Sequence, residues 1–458
     1  MIKFKELITL GVVGTLCLCT ASAVMAKVSP EEAARLGKDL TPLGAEKAGN
    51  ADGTIPAWDG GVMGPPAGIT YKPGDFHPDP FKDEKPLFII TAQNMDQYAD
   101  ELTEGHKEML RRFPDFSIQV YPTHRTAGAP DWVYERTKRN ATLIEMTDDN
   151  LGMINHGVTG GVPFPIPQSA EEIIFNHHLR WRGPGRVGLF KTANVFPDGS
   201  LVLAGNGRVW ENYDWNEENL DSANWDNLYY KILIAYDYPA RRKGEILLVR
   251  DPLNQSESPR QAWQYLPGQR RIRRAPTVAF DTPNADVSGV ENYDDSFIFN
   301  GSHERFDWEI VGKKEMYIPY NCYQADIVPE KELLTPNFPN PDVVRFEKHR
   351  VWVLEGTLKE GKRHNYSQRT LYFDEDTWIA VMSDSYDSRG NLWRTKYQTM
   401  KNNYDIPAVK QRVELSIDFT RADYAATAQF NGLESMPEYV GSELDTYTPE
   451  QLRRLGRR

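Results

Sequence analysis

YSQRTLYFDEDTWIAVMSDSYDSRGNLWRTKYQTM, residues 366–400, is the stretch that decides the fold. Near its end, Trp393, Thr395, Tyr397 and Thr399 alternate with Arg394, Lys396 and Gln398. A two-residue period of this kind places the two sets on opposite sides of a β-strand. The polar turn Asp387-Ser388-Arg389-Gly390-Asn391 separates this strand, 391–400, from another at 377–387. Asp374-Glu375-Asp376 separates that one in turn from 366–374. Three consecutive strands joined by short polar turns predict an antiparallel meander.

Outward from the meander, alternation starts near residue 186. Further strands are expected at 186–196, 200–210, 226–237, 244–250, 261–266, 269–275, 308–318, 349–358 and 410–419. Ahead of 186 the period is helical. Helices are predicted over 92–113, with Pro114 as the stop, over 131–145, and from the Ser169/Glu172 cap to Trp181. Ser29 and Glu32 form a capping box with Pro30 at the first helical position. Residues 40–90, rich in Gly, Pro and Asp, read as an extended segment without a core of its own. Thr448-Pro449-Glu450 opens a short final helix ahead of a basic tail. The class expected is α+β, built on an antiparallel sheet. The divisions are 1–26 a signal peptide, 27–185 a helical and extended portion packing on the sheet, 186–430 the antiparallel sheet, and 431–458 a tail with a short helix.

The start of the chain sets the compartment. Lys3 and Lys5 precede an apolar run from Leu7 to about Leu18, and Ala21-Ser22-Ala23-Val24-Met25-Ala26 supplies small residues for cleavage before Lys27. This is the pattern of a cleavable signal peptide, so export to the periplasm is expected. Cys17 and Cys19 leave with it. Cys322, then the one remaining thiol, cannot form an internal disulfide in that oxidising compartment. The net charge is −12, and loss of residues 1–26, with two lysines and one glutamate, makes it −13. An acidic chain of this kind is a poor nucleic-acid binder, because phosphate contacts need a basic surface. With 34 glycines, 31 prolines and 11% aromatic residues, the composition suits a sheet with many turns.

Motifs for catalysis are weak. Gly183-Pro184-Gly185-Arg186-Val187-Gly188 has dinucleotide-loop spacing, but a helix precedes it and a strand follows, the reverse of what that site needs. Gly356 to Lys362 begins like a phosphate loop, yet Arg363 stands where Ser or Thr must hold magnesium, and a hairpin turn is the better reading. No H-x-x-x-H pair, no G-x-S-x-G elbow and no thiolate set for zinc occurs in the mature sequence, so no metal, cofactor or enzymatic activity is expected. The acids at 374–376, 384 and 387 fit no calcium hand, and carboxylates at strand turns are expected to be solvated. Gly160-Gly161-Val162-Pro163-Phe164-Pro165-Ile166-Pro167 reads as a rigid connector over an apolar sheet face, or as a lip over a groove. In Trp263 to Pro276, Trp263 and Tyr265 share one side of a strand, Pro267-Gly268 turns the chain, and Arg271 and Arg273 alternate with Ile272 on the return.

That hairpin resembles the W-x-Y-L-P … R-R-V-R-R hairpin of outer-membrane lipoprotein-sorting proteins, relatives of LolA and LolB. With Gly160 to Pro167, Arg369 to Trp378, and Tyr386-Asp387 through Gly390 to Arg394, the chain resembles a large periplasmic family known as a domain of unknown function, over most of residues 30–440. The resemblance implies a strongly curved antiparallel sheet, an open half-barrel of the LolA/LolB type, with helices covering its concave face, and work beside resistance-nodulation-division (RND) transporters and an outer-membrane partner. It implies no catalytic residues. The chain is about twice as long as LolA, which separates it from a literal lipoprotein carrier.

The function expected is a non-enzymatic carrier or transport accessory for a hydrophobic or lipid-like molecule. Burying an acyl chain of roughly 14 methylenes would yield about 11 kcal/mol gross at about 0.8 kcal/mol each, before ordering costs. The lining expected is Trp263, Tyr265, Tyr372, Trp378, Trp393 and Tyr397, with Arg271 and Arg273 for an acidic headgroup or a partner's carboxylates. A scaffold bracing an RND-type transporter to the outer membrane, its groove filled by its own side chains, is the second reading. A periplasmic hydrolase with two inward carboxylates is the third.

Overall fold

A computed structural model describes residues 28–276, 278, 280–429, 431–432 and 447–456. The expected signal segment, 1–26, and much of the 431–458 tail lie outside these. The N-terminal part runs α1 (Pro30–Ala33), β1 (Phe88–Ile90), α2 (Glu104–Arg112), β2 (Ile118–Val120), α3 (Asp131–Leu143), β3 (Glu145–Met146), β4 (Met153–Ile154) and α4 (Ala170–Leu179). A first meander follows: β5 (Gly185–Val195), β6 (Leu201–Asn212), β7 (Leu228–Tyr238), β8 (Ile246–Pro252), β9 (Gln261–Leu266) and β10 (Arg271–Arg274). Then come β11 (Phe306–Pro319), α5 (Gln324–Ile327), α6 (Glu330–Leu333), β12 (Phe346–Leu358), β13 (Gln368–Asp374), β14 (Ala380–Tyr386), β15 (Leu392–Asn403), β16 (Ala408–Asp418), β17 (Asp423–Gln429) and α7 (Pro449–Leu455).

Among the described residues, fifteen strands form one open sheet in the order β1-β2-β12-β13-β14-β15-β16-β17-β5-β6-β7-β8-β9-β10, with β11 also on β12. The two meanders join where β17 pairs antiparallel with β5, Tyr424 opposite Val195 and Ala426 opposite Ala193. Every pairing in the path from β12 to β10 is antiparallel.

Register explains the layers. Tyr372, Met382, Tyr397, Leu415, Ala426 and Ala193 lie side by side across six strands. This row belongs to an apolar first face, covered by Met109 and Leu110 of α2 and by Ile90, Ile118 and Val120. Along β6–β10 the same face carries Trp210, Leu233, Leu248, Trp263 and Tyr265, and Leu452 and Leu455 of α7 cover it. The neighbouring row, Leu371, Ser383, Lys396, Ser416, Ala425 and Asn194, opens the second face.

That second face is also buried, though its residues are polar. Lys396, Arg394 and Gln398 are all buried, and the cover is largely irregular chain, residues 280–305, rather than helix. Buried charge needs paired charge. Lys396 Nζ lies 2.7 Å from Glu291 and 2.8 Å from Glu414, and Arg369 meets Asp294 at 2.9 Å and Asp295 at 2.7 Å. These contacts tie the crossing segment to the sheet. The expectation of helices over one concave face therefore gives way to a mixed cover: helices over part of the first face, and an ion-paired loop over much of the second.

Other expectations shift locally. The helix predicted over 92–113 splits into a 3₁₀ stretch, Met95–Glu101, and α2, because Leu102 is extended and Thr103 caps the next turn through the His106 amide. The acids at 374–376, expected in solvent, are buried: Asp376 pairs with Arg125 and Glu375 with Lys313. Gly160–Pro167 is a buried connector whose carbonyls accept from Asn140 and Trp215.

Candidate functional site

Strand β7, LYYKILIAYDY, is apolar on both sides because both sides are covered. Leu233 faces α7 on the first face. Its neighbours Tyr230, Ile232, Ile234 and Tyr236 point the other way and floor a cleft. Phe190 of β5, Val209 of β6, and Leu247 and Val249 of β8 extend that floor. The crossing segment supplies the facing wall through Val278, Tyr293 and Phe297. Ion pairs hold this segment over β13–β16, and Asp286 with Arg242 and Tyr236 holds it at the end of β7; between these anchors it stands off the sheet and leaves space. The free volume is about 160 Å³, or about 920 Å³ counting the open mouth. The smaller figure is close to the ~150 Å³ of a dry apolar cavity that holds a benzene.

The rim carries charge that is already engaged. Glu211 accepts from Arg186, from the Tyr213 hydroxyl at 2.7 Å and from the Tyr230 hydroxyl at 3.2 Å. Burial works to raise the Glu211 pKa, but Arg186, the Tyr213 hydroxyl and Arg182 hold it below the ordinary carboxylate value. Arg260 grips Asp251 with two bonds, 2.6 and 2.8 Å. Tyr236 donates to Asp286 at 2.5 Å while Arg242 lies 3.6 Å over its ring. Among the described residues, the cleft's carboxylates Glu211, Asp286, Glu291 and Glu414 each have a basic partner. The arrangement can hold an apolar group; it does not present a free general base.

The residues singled out from sequence are not gathered at this cleft. Tyr372 and Tyr397 are buried under α2. Trp378 is buried in the turn before β14, its indole N–H donating to the Leu43 carbonyl at 2.8 Å. Tyr265 packs under α7 and donates to the Gly456 carbonyl, and half-buried Trp263 shares that cluster. Trp393 departs from the alternation because a bulge at Ser385/Tyr386 shifts the pairing, and its N–H donates to Asp418 at 3.0 Å. Arg271 and Arg273 are exposed on edge strand β10, Arg273 bonding Gln264. The shared face of Trp263 and Tyr265 is as expected, but that face is sealed by α7. The signal for this cleft was the two-sided apolar run of β7, which the alternation template underweights.

One buried cluster elsewhere has metal-site spacing. Candidate ligand atoms of His349, Asp374 and Asp376 lie within 4.8 Å of one another. Arg125 already occupies both Asp376 oxygens, at 2.8 and 2.6 Å, and so places a fixed cation in the same cluster. Burial pushes the Asp374 carboxyl up to about 7, with Asp376 adding to the shift and His349 opposing it. The geometry is that of a buried ion-pair cluster, with His349 3.8 Å from Asp374 and 3.9 Å from Asp376.

The chain is a member of the family described as protein of unknown function (DUF1329), whose model matches residues 89–453. An uncharacterized protein of Pseudomonas aeruginosa is 42% identical over 457 residues, 99% of each chain. A solved DUF1329 protein from Desulfovibrio piger shares 14% identity at a TM-score of 0.40, covering 59% of this chain and 92% of that one. A LolA superfamily protein from Nitrosomonas europaea shares 12% at 0.37, covering 62% and 100%. A Vibrio parahaemolyticus domain assigned to outer-membrane lipoprotein sorting shares 14% at 0.43, covering 62% and 97%. The resemblance seen in the sequence is thus borne out at the level of family. Among the described residues, no helix is long and apolar enough to cross a membrane.

Proposed function

We propose that this protein is a non-enzymatic periplasmic carrier or transport accessory, and that it holds a hydrophobic, lipid-like molecule in the cleft between β5–β8 and residues 278–300. The observation that carries this reading is the apolar strand face of Ile232, Ile234, Leu247 and Val249, left open to a volume of about 160 Å³. An apolar surface in water is costly, and a ligand that covers it gains about 25 cal/mol per Å². The enclosed part suits a few carbons of a chain, with the rest leaving through the mouth. Export rests on the signal-type sequence of residues 1–26. Work beside an RND-class transporter and an outer-membrane protein follows from the family resemblance, and exposed Arg271 and Arg273 are the contact proposed for a headgroup or a partner's carboxylates.

The test is binding of the neutral fluorescent probe N-phenyl-1-naphthylamine to the purified protein, with native mass spectrometry of material taken from the periplasm. Saturable fluorescence enhancement and a retained apolar adduct are expected. A protein with neither is no carrier.

A further inference from the structure

The chain is acidic, yet a run of its basic residues gathers at one end of the sheet. The turn before β10 and β10 itself read Arg270-Arg271-Ile272-Arg273-Arg274, and all four arginines are exposed. Arg271 stands opposite Leu266, and Arg273 opposite Gln264. On its other side Gln264 pairs with Leu247, which floors the cleft. Leu247, Gln264 and Arg273 therefore form one row across three strands. Arg271 and Arg273 edge the cleft's own face, with Arg273 about 10 Å from Leu247 at two strand spacings. Arg274 stands opposite Trp263, 5.7 Å from its ring centre, and belongs to the other face. That face carries α7, whose last turn adds exposed Arg453 and Arg454. Tyr265, which pairs with Ile272, donates to the Gly456 carbonyl, so the basic end of α7 lies over the middle of β10.

Among the described residues, none of these six arginines has an ion pair. Arg273 bonds the Gln264 amide oxygen. Exposed arginines elsewhere do have carboxylates, as Arg35 has Asp39 and Arg112 has Glu108. Glu245, beside Gln264, is taken by Arg242 and by the Gln264 amide. Like charges crowded at one edge repel one another and stabilise nothing inside the fold. At about 0.1 M salt, charges are screened beyond about 10 Å. An approaching surface therefore feels these arginines rather than the net charge of −12.

We propose that this edge docks the protein on an anionic phospholipid surface, with headgroup phosphates against the six guanidinium groups. The guanidinium fork suits phosphate oxygens, and each basic residue held near such a surface strengthens binding about fivefold. Half-buried Trp263 and Ile272 lie among the arginines and offer apolar area to the interface. The arginines sit on both faces of the sheet's edge and on α7. A peptide strand added to β10 would follow β10 alone, whereas a lipid surface presents phosphate to all six. The inference rests on the carrier reading for what docking achieves, which is to bring the cleft to a membrane that supplies or receives its lipid.

The experiment is flotation of the full mature chain with vesicles of phosphatidylcholine, alone or with about one-third phosphatidylglycerol. Partition onto the anionic vesicles is expected to exceed that onto neutral ones about a hundredfold, and to fall towards the neutral value at about 0.5 M salt. The double variants Arg270→Gln/Arg274→Gln and Arg453→Gln/Arg454→Gln should each weaken it about tenfold, with the melting temperature unchanged. If the wild type floats equally with both vesicles, or with neither, the docking proposal is wrong and the carrier reading survives. If both variants fold and float like the wild type, the contact lies elsewhere and the proposal also falls. If the wild type ignores vesicles but binds a fluorescein-labelled hexapeptide of alternating glutamate and valine, the edge serves an acidic protein strand and the proposal is overturned. If the anionic vesicles bind as expected but N-phenyl-1-naphthylamine does not, the docking surface stands and the carrier reading fails. The wild-type comparison needs no variant, so a variant that misfolds does not rescue the idea.

Discussion

Replacing Asp384 by Asn should stabilise the protein above neutral pH and do little in acid. Asp384 is fully buried on the first face. Its Oδ1 accepts from the Thr395 hydroxyl at 2.9 Å and the Gly105 amide at 3.1 Å, and its Oδ2 from the Tyr372 hydroxyl at 3.3 Å. Burial raises its pKa to about 6, and these hydrogen bonds oppose the shift without cancelling it. The folded state thus binds the proton more tightly than the unfolded chain, whose carboxyl titrates near 3.8. Stability from this group is whole below pH 3.8, declines as pH rises towards 6, and stays lost above it. A shift of roughly two units at 1.36 kcal/mol each corresponds to about 3 kcal/mol. In Asp384→Asn the amide oxygen keeps the Thr395 and Gly105 bonds, and the new N–H₂ can donate to the Tyr372 oxygen. The variant should gain up to about 3 kcal/mol over wild type at pH 8, and nothing at pH 4. Urea unfolding at pH 4, 6 and 8 measures it. An advantage that does not grow with pH, or a wild type that is the more stable at pH 8, would refute the reasoning.

Ile234→Trp should fill the cleft floor and remove probe binding, with the melting temperature kept within a few degrees, as a scan of both signals would show. Gly105→Ala should destabilise, although Ala is the better helix former by about 1 kcal/mol. A Cβ there would stand 1.9 Å from Thr395 Oγ1 and 2.5 Å from Asp384 Oδ1, which lifts α2 off the sheet; a lowered urea midpoint is the expected reading. Lys396→Met would strand Glu291 and Glu414 in the interior and should cost about 3–5 kcal/mol, seen in the same assay.

The strand pattern was legible because each strand's side-chain period is local. Twelve of the strands, and the helices at 131 and 170, lie within a few residues of where alternation and caps placed them. What failed was the step from side to environment. Alternation separates Lys396 from Tyr397 correctly, yet does not tell that the segment 280–305 returns to bury Lys396 with Glu291, more than a hundred residues away. For the same reason Tyr372, Tyr397 and Tyr265 looked like groove lining and are core: the elements that seal them, α2 and α7, lie far off in sequence.

By itself, the sequence determined the class, an antiparallel sheet with a few helices, and the family, because hydrophobic period, turn residues and caps act over a handful of neighbours. Which face stays open, and which charges meet inside, was decided by tertiary structure alone. Both depend on where the crossing segment is pinned, and over β13–β15 that is set by ion pairs between residues 74 to 105 positions apart.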